Sequence, residues 1–256
     1  MSTMIFLLFS CVSTKNPEDT GPVVVEELFP EDESYRAVTE EIFSDMQSLG
    51  AASGAVAIFN ADGVIHCDAF GTAPDGGDLE PDAQFRMGSL TKVLTSLLNN
   101  QQIEAGLYNH TDKVVELLPD LQMPYSAEHF AQITVEDLLT HRGGFLDYLE
   151  IDGTEASTSL QGFMQNILPQ LYIMAEPGLF FNYSNPNFYL AGYLAEQMGG
   201  ESYRDLMDSV VFTPLGMADT TFSNAEVIER GKWGMGLASN EEITPEIQPA
   251  KEGTTF

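Results

Sequence analysis

Arg86-Met-Gly-Ser-Leu-Thr-Lys-Val-Leu-Thr-Ser-Leu-Leu98 is the stretch that decides the fold of this 256-residue chain. Gly88 gives the backbone room to turn, and apolar residues then follow with the spacing of one helical face. These apolar residues are Leu90, Val93, Leu94, Leu97 and Leu98. The spacing predicts a buried helix that Ser89 opens. Lys92 comes three residues later, so both side chains leave the same helical face one turn apart.

Ser89 and Lys92 are a candidate nucleophile and base. A primary hydroxyl is a poor nucleophile until a base takes its proton, and burial makes a lysine a better base. The positive end of the helix dipole also favours negative charge that develops near Ser89. A simpler interpretation makes Ser89 a helix N-cap and Lys92 a solvated helix residue. Spacing alone does not decide between them, because Ser-x-x-Lys also occurs by chance.

The charge of the chain excludes one class of partner. The sequence has 39 acidic and 10 basic residues, which gives a formal net charge of −29. A surface of this charge repels phosphate backbones, so we expect no nucleic-acid partner. With 256 residues, of which 43% are hydrophobic, the chain can bury a full core in one domain of good size or two small ones.

The N-terminal residues look like an export signal followed by a tether. Residues 4–9 form an apolar run that is too short to span a bilayer, and the run ends at Ser10-Cys11. It resembles a bacterial lipoprotein signal with Cys11 as the lipidated residue, although no basic residue precedes it and Phe9 is bulky for such a cleavage box. Residues 12–33 are polar and acidic, as a solvated tether would be. We expect an extracytoplasmic protein that is periplasmic, secreted or anchored by lipid to the cell envelope; the alternative is an unstructured apolar N-terminus.

Cysteine and histidine positions predict no metal site. If Cys11 is lipidated, Cys67 is left as a single thiol in a strand, and no disulfide framework is expected. The four histidines show no ligand spacing, so we expect each to be structural rather than catalytic. They are His66, His110, His129 and His141.

Periodicity and turn residues predict an α+β organisation. A helix and then an antiparallel hairpin around Asn60-Ala-Asp-Gly63 precede Ser89, and the chain is mostly helical afterwards. A capping box at Thr134-Val-Glu-Asp137 opens a short helix that His141-Arg-Gly-Gly144 ends. The other helices are expected at residues 34–49, 89–106, 155–173 with a break near Pro169, 186–199 and 201–212.

A second candidate segment is Phe180-Phe-Asn-Tyr-Ser-Asn-Pro-Asn187. Tyr183 and Asn185 lie in irregular chain just before the helix that Pro186 begins, where polar side chains can point across a cleft. The simpler interpretation makes Asn185 the N-cap of that helix and Tyr183 a wall residue.

Four segments together resemble the serine β-lactamase-related hydrolases. In chain order they are Phe85-Arg-Met-Gly-Ser-Leu-Thr-Lys92, Ile133-Thr-Val-Glu-Asp-Leu-Leu-Thr-His-Arg-Gly-Gly-Phe145, Pro177-Gly-Leu-Phe-Phe-Asn-Tyr-Ser-Asn185 and Pro214-Leu-Gly-Met217. The Tyr-x-Asn pair looks like that of class C β-lactamases, their esterase relatives and penicillin-binding DD-peptidases. The resemblance covers residues 35 to 222. Arg142-Gly143 stand where relatives usually have Thr-Ser.

The resemblance implies a β-lactamase/transpeptidase-like fold and a serine hydrolase that forms an acyl-enzyme on amide, β-lactam or ester substrates. Ser89 would be the catalytic nucleophile and its backbone N–H half of an oxyanion hole. Either Lys92 or Tyr183 would be the catalytic base, and Asn185 would orient Lys92 and bind the substrate amide. The expected partner is a small-molecule or peptide substrate, with no cofactor required and the oligomeric state open. The alternative is a catalytically inactive relative that binds a peptidoglycan-like peptide or has a structural role.

One landmark of the resembled family has no counterpart after Tyr183. It is a strand with Lys or His, then Ser, Thr or Gly, then Gly, which would complete the oxyanion hole. A two-stranded hairpin alone is marginal, so we expect this chain to be the N-terminal part of a longer protein whose C-terminal sheet strands are absent here. The expected organisation is a signal-like segment and tether at 1–33, a partial catalytic domain at 34–222 and an irregular part at 223–256.

Overall fold

The computed structural model describes residues 32–147 and 159–234, and these form two compact units. One unit consists of residues 32–86 and 215–234, and the other of residues 87–147 and 159–214. The described helices and strands are α1 (Glu33–Ser48), β1 (Gly54–Asn60), β2 (Gly63–Phe70), α2 (Thr91–Glu104), α3 (Val114–Leu117), α4 (Ala127–Phe130), α5 (Val135–Leu139), α6 (Leu160–Asn166), α7 (Asn185–Gly199), α8 (Tyr203–Leu206) and α9 (Asn224–Arg230).

The first unit contains the helix and hairpin that the sequence predicted. β1 and β2 pair antiparallel, and α1 packs against both strands. Asn60 holds the turn because its Oδ1 accepts hydrogen bonds from the backbone N–H groups of Asp62 and Gly63, at 2.8 and 3.2 Å. Phe43 of α1 packs on Phe70 of β2 with ring centroids 4.9 Å apart. This part of the α+β prediction is confirmed.

The predictions for two buried residues of β2, His66 and Cys67, differ in how they compare with the structure. His66 is 1% exposed, and its Nδ1 accepts the backbone N–H of Asp32 at 3.0 Å, so it has the structural contact expected of it. Cys67 is disulfide-bonded, and the prediction that it is a single thiol is wrong. The predicted lipidation site, Cys11, lies outside the described residues.

The same unit has a helix where the sequence was expected to be irregular. Ser223 begins α9 because its Oγ accepts the backbone N–H of Glu226 at 3.2 Å, and Gly231 ends it with a φ of +69°. The prediction that residues 223–234 are irregular is therefore wrong for this helix, although the sequence Ser-x-x-Glu is a recognisable helix start. Residues 235–256 lie outside the described part of the chain.

The second unit is built around α7, which packs against α2, α5, α6 and α8. Pro186 lies in its first turn, and Gly200 ends it with a φ of +75°. The capping box at Thr134 and Asp137 is present as predicted and begins α5. The helix predicted at 155–173 is shorter, since α6 ends at Asn166 and a 3₁₀ turn at Leu168–Gln170 follows. The single helix predicted at 201–212 is instead α8 followed by a π-helical turn.

The buried face of α2 is more polar than the sequence predicted. Val93 is 57% exposed, so its assignment to the core face is wrong. Polar side chains are buried in its place because the α7 backbone satisfies them: Asn99 Nδ2 donates to the Ala191 carbonyl at 3.3 Å, and Gln102 Nε2 donates to the Ala195 carbonyl at 2.9 Å. The buried residues of α2 are Thr91, Lys92, Leu94, Thr95, Leu98, Asn99 and Gln102.

Candidate active site

Ser89 lies in a 3₁₀ turn at Gly88–Leu90 that leads directly into α2. Gly88 has a φ of +53°, in the left-handed region that glycine adopts without a steric penalty, so the chain turns immediately before Ser89. Ser89 is not the N-cap of the turn or of α2, and its side chain is exposed. The capping interpretation of this serine is therefore wrong.

Two side chains meet the Ser89 hydroxyl. The Lys92 Nζ donates to Ser89 Oγ at 3.1 Å, and the Tyr183 hydroxyl donates to the same oxygen at 2.8 Å. Lys92 is only 5% exposed, so it is not the solvated residue of the simpler interpretation. The structure thus brings together three of the predicted site residues, one of which is 94 positions away in the chain from Ser89.

Two aromatic rings lie near the Lys92 amine. Its Nζ lies 5.2 Å from the ring centroid of Tyr183 and 6.0 Å from that of Phe188, distances at which a cation is attracted to a ring face. Within residues 32–147 and 159–234, Lys92 forms no ion pair with a carboxylate. The hydroxyl of Ser89 is therefore a principal polar contact of this buried amine.

Asn185 is held by a residue that the sequence did not single out. Asp147 Oδ1 accepts the backbone N–H of Asn185 at 2.8 Å and its Nδ2 at 3.0 Å. Asn185 is 3% exposed and is the first residue of α7, whereas Ser184 is the N-cap. In the described structure the Asn185 Oδ1 has no hydrogen-bond partner, so Asn185 makes no hydrogen bond to Lys92 through this oxygen.

His141 is the other neighbour that was not assigned to the site. Its ring lies 4.4 Å from that of Tyr183 and 4.8 Å from that of Phe188, and the residue is 9% exposed. Burial and the nearby charge of Lys92 hold the pKa of His141 below its ordinary value of 6.5. No spacing rule connects His141 or Asp147 to Ser89, because their contacts depend on the tertiary fold. The one local feature of the sequence that distinguishes His141 is its position in the turn that ends α5.

Metal ligands are not part of the described site. Among residues 32–147 and 159–234, no three His, Cys, Asp or Glu side chains are grouped so that they could hold a metal ion.

In that same part of the chain, no helix combines the length and the apolar character that crossing a bilayer requires.

Comparison with known proteins assigns the chain to a family. The model of the Beta-lactamase family matches residues 39–255. The chain belongs to the Beta-lactamase family. The resemblance that the four sequence segments predicted is thus confirmed, and so is the β-lactamase/transpeptidase-like fold class.

Individual members of the Beta-lactamase family are similar at a lower level. Penicillin-binding protein 4 of Amycolatopsis lactamdurans is 26% identical over 213 residues, which are 82% of this chain and 55% of that protein. A Beta-lactamase of Yersinia enterocolitica is 27% identical over 192 residues, 74% of this chain and 47% of that protein. The octameric penicillin-binding protein homologue from Pyrococcus abyssi has a similar fold, with a TM-score of 0.71 and 21% identity over 85% of this chain and 51% of its own. The chain spans about half the length of the curated relatives that it matches.

Proposed function

We propose that this protein is a serine hydrolase that forms an acyl-enzyme on a small-molecule or peptide substrate with an amide, β-lactam or ester bond. The single observation that supports the proposal most is the contact of Ser89 Oγ with both Lys92 Nζ and Tyr183 Oη, at 3.1 and 2.8 Å. Membership of the Beta-lactamase family supports the same function, because the family includes proteins named as penicillin-binding proteins and β-lactamases.

The reaction would proceed in two steps, which are acylation of Ser89 and hydrolysis of the acyl-enzyme. Ser89 Oγ attacks the substrate carbonyl carbon while its proton passes to Lys92 or Tyr183, and the leaving group departs with a proton returned by that pair. Water then attacks the carbonyl carbon of the Ser89 ester and gives one proton to the same pair. The pair returns that proton to Ser89 Oγ as the bond between the carbonyl carbon and Oγ breaks, and the carboxylic acid is released. Both candidate bases contact Ser89 Oγ directly, so either can take part in this transfer.

Two further groups would bind the substrate. Asn185 would bind the substrate amide, and its Oδ1 has no hydrogen-bond partner among the described residues. The backbone N–H of Ser89 would stabilise the oxygen that becomes negative during attack. Asp147 would keep the Asn185 amide oriented, because its Oδ1 accepts hydrogen bonds from the backbone N–H and from the side-chain Nδ2 of Asn185.

We also propose an extracytoplasmic location, in the periplasm, at the cell envelope or in the medium. The disulfide at Cys67 supports it, because disulfides persist in oxidising compartments. The chain has two cysteines, so an intrachain disulfide and a lipid on Cys11 exclude one another. A membrane tether through Cys11 is therefore the alternative to this disulfide.

The test is hydrolysis of nitrocefin and of a p-nitrophenyl ester by the protein and by two serine variants. We expect Ser89→Ala to lower kcat/KM by at least on the order of 10³-fold. The control is Ser96→Ala, which changes another serine of α2 and should leave kcat/KM within about twofold of the unchanged protein. Equal activity of Ser89→Ala and the unchanged protein would refute the proposal, and binding of substrate without any turnover would favour the inactive binding relative.

A further inference from the structure

We propose that His141, in its neutral form, is a positioning residue that holds Tyr183 against Ser89. This inference rests on the proposed function and assigns a role to a histidine that the sequence predicted to be only structural. His141 does not contact Ser89 in the described structure; it acts through the segment that carries Tyr183.

His141 is bonded to the residue on each side of Tyr183. Its carbonyl accepts the backbone N–H of Asn182 at 2.8 Å, and its Nδ1 accepts the backbone N–H of Ser184 at 3.1 Å. The Tyr183 backbone is therefore fastened at both ends to one residue from a different part of the chain. Movement of His141 would be transmitted directly to the phenol that lies 2.8 Å from Ser89 Oγ.

The His141 ring also forms one wall against the Tyr183 side chain. The two rings are 4.4 Å apart with an angle of 33° between their planes, and Phe188 lies 4.8 Å from the His141 ring. Phe181 meets the same ring edge-on at 5.7 Å. These contacts leave His141 only 9% exposed, so the ring has little freedom to rotate away from Tyr183.

The backbone of His141 is in a conformation that surrounding contacts must maintain. Its φ is +56°, and it is the one non-glycine residue with positive φ in the described part of the chain. Such a conformation is unfavourable for a residue with a side chain and tends to persist where the fold requires it, often at functional sites. Here it lets the carbonyl and Nδ1 of His141 face the Tyr183 segment together.

The hydrogen bond at Nδ1 requires a neutral ring. Because Nδ1 accepts an N–H, the single proton of the ring is on Nε2. A second proton would replace the acceptor with a donor opposite the Ser184 N–H and would add a positive charge near Lys92. The titratable or charged groups that face His141 are Lys92 on α2, Tyr183 on the loop before α7, and Asp147 on the segment after α5.

The direction of the pH effect follows from this geometry. The unfolded chain protonates His141 at its ordinary pKa of 6.5, whereas burial and Lys92 lower the pKa in the folded protein. The stability that depends on the neutral ring is therefore complete above 6.5 and is lost as the pH falls below it. Acylation of Ser89 by the folded protein should decline at a pH lower than 6.5, where the folded protein's ring takes up its second proton, because the protonated ring no longer holds Ser184.

The experiment compares two His141 variants with a control. His141→Asn keeps an acceptor near the Nδ1 position and tolerates positive φ, whereas His141→Phe keeps the ring and removes the acceptor. His110→Asn changes an exposed histidine of the same unit and is the control. For each protein we would measure the rate constant and apparent affinity of Ser89 acylation by a fluorophosphonate between pH 5.5 and pH 8, with a thermal melt to check folding.

We expect His141→Phe to lower the acylation rate constant about tenfold or more at pH 8 with little change in apparent affinity. His141→Asn should retain the rate within about threefold at pH 8 and should have a higher ratio of the pH 5.5 rate to the pH 8 rate than the unchanged protein. The inference is overturned if folded His141→Phe reacts at the unchanged rate, or if His141→Asn and the unchanged protein have the same pH profile. Absence of labelling at Ser89 in the unchanged protein overturns the proposed function as well.

Discussion

At the scale of single residues, the two partners of Ser89 differ in how they can be tested. Lys92 is 5% exposed, so its truncation would also leave a cavity and change the stability of the fold. Tyr183 is 41% exposed, and replacing it with phenylalanine removes one oxygen while the ring stays. The tyrosine therefore separates chemistry from packing better than the lysine does.

Tyr183→Phe should lower hydrolysis by a factor of roughly 10² to 10⁴, since it removes one of the two groups that can accept the Ser89 proton. The free energy of unfolding should change by no more than about 0.5 kcal/mol, because the lost oxygen is near the surface. Steady-state kinetics and urea unfolding measure the two effects. Tyr172→Phe, at a tyrosine that is 52% exposed, is the matched control; activity of Tyr183→Phe above half the unchanged value would contradict the role of the phenol.

At the scale of secondary-structure elements, the contact between α2 and α7 relates Ser89 to Asn185. Ser89 precedes α2, and Asn185 is the first residue of α7. Asn99 connects the two helices in their middle: its Nδ2 donates to the Ala191 carbonyl, and its Oδ1 accepts the Tyr108 hydroxyl at 2.9 Å. A buried amide in this position favours one alignment of the helices, because another alignment would leave its polar groups unpaired.

Asn99→Ala should lower the free energy of unfolding by about 2–4 kcal/mol, because it leaves a cavity and a buried tyrosine hydroxyl with one acceptor fewer. Urea unfolding followed by circular dichroism measures this. Gln101→Ala, at the exposed glutamine of the same helix, should change the value by less than about 0.5 kcal/mol. If both variants have the same stability, the amide does not fasten the two helices.

Local signals predicted most of the helices and strands. The turn at Asn60–Gly63, the Thr134 capping box and Pro186 each act within four residues, so the sequence alone reveals them. The polar face of α2 was missed because its partners are carbonyls of α7 about 92 residues away. The candidate site divides in the same way: Ser89 and Lys92 share one helical turn and could be predicted from spacing, whereas Asp147 is related to Asn185 only by tertiary contacts.

At the scale of the whole molecule, the dominant physical feature is the net charge of −29. Like charges on a compact chain repel one another and favour the expanded state. Dissolved salt screens this repulsion, since the Debye length falls from about 10 Å at 0.1 M to about 3 Å at 1 M. Salt also screens the attraction within ion pairs. The described ion pairs are few and at least partly exposed, so this screening should cost the fold little stability.

Raising the NaCl concentration from 0.1 M to 1 M should therefore increase the melting temperature by several degrees, about what 1 kcal/mol of stabilisation gives for a domain of this size. Differential scanning fluorimetry measures this, and KCl at equal ionic strength should have the same effect if screening is the cause. A melting temperature that stays constant or falls would show that charge repulsion does not limit the stability of this fold.

Peptide mapping after covalent labelling tests the central claim most directly. Trypsin cuts after Arg86 and Lys92, so Ser89 lies in the short peptide Met87–Lys92, in which Thr91 is the only other hydroxyl residue. After reaction with a fluorophosphonate, we predict that the added mass is on Ser89 of this peptide, is much reduced in Tyr183→Phe and is absent from Ser89→Ala. An adduct on another residue, or no adduct on the folded protein, would contradict the assignment of Ser89 as the nucleophile.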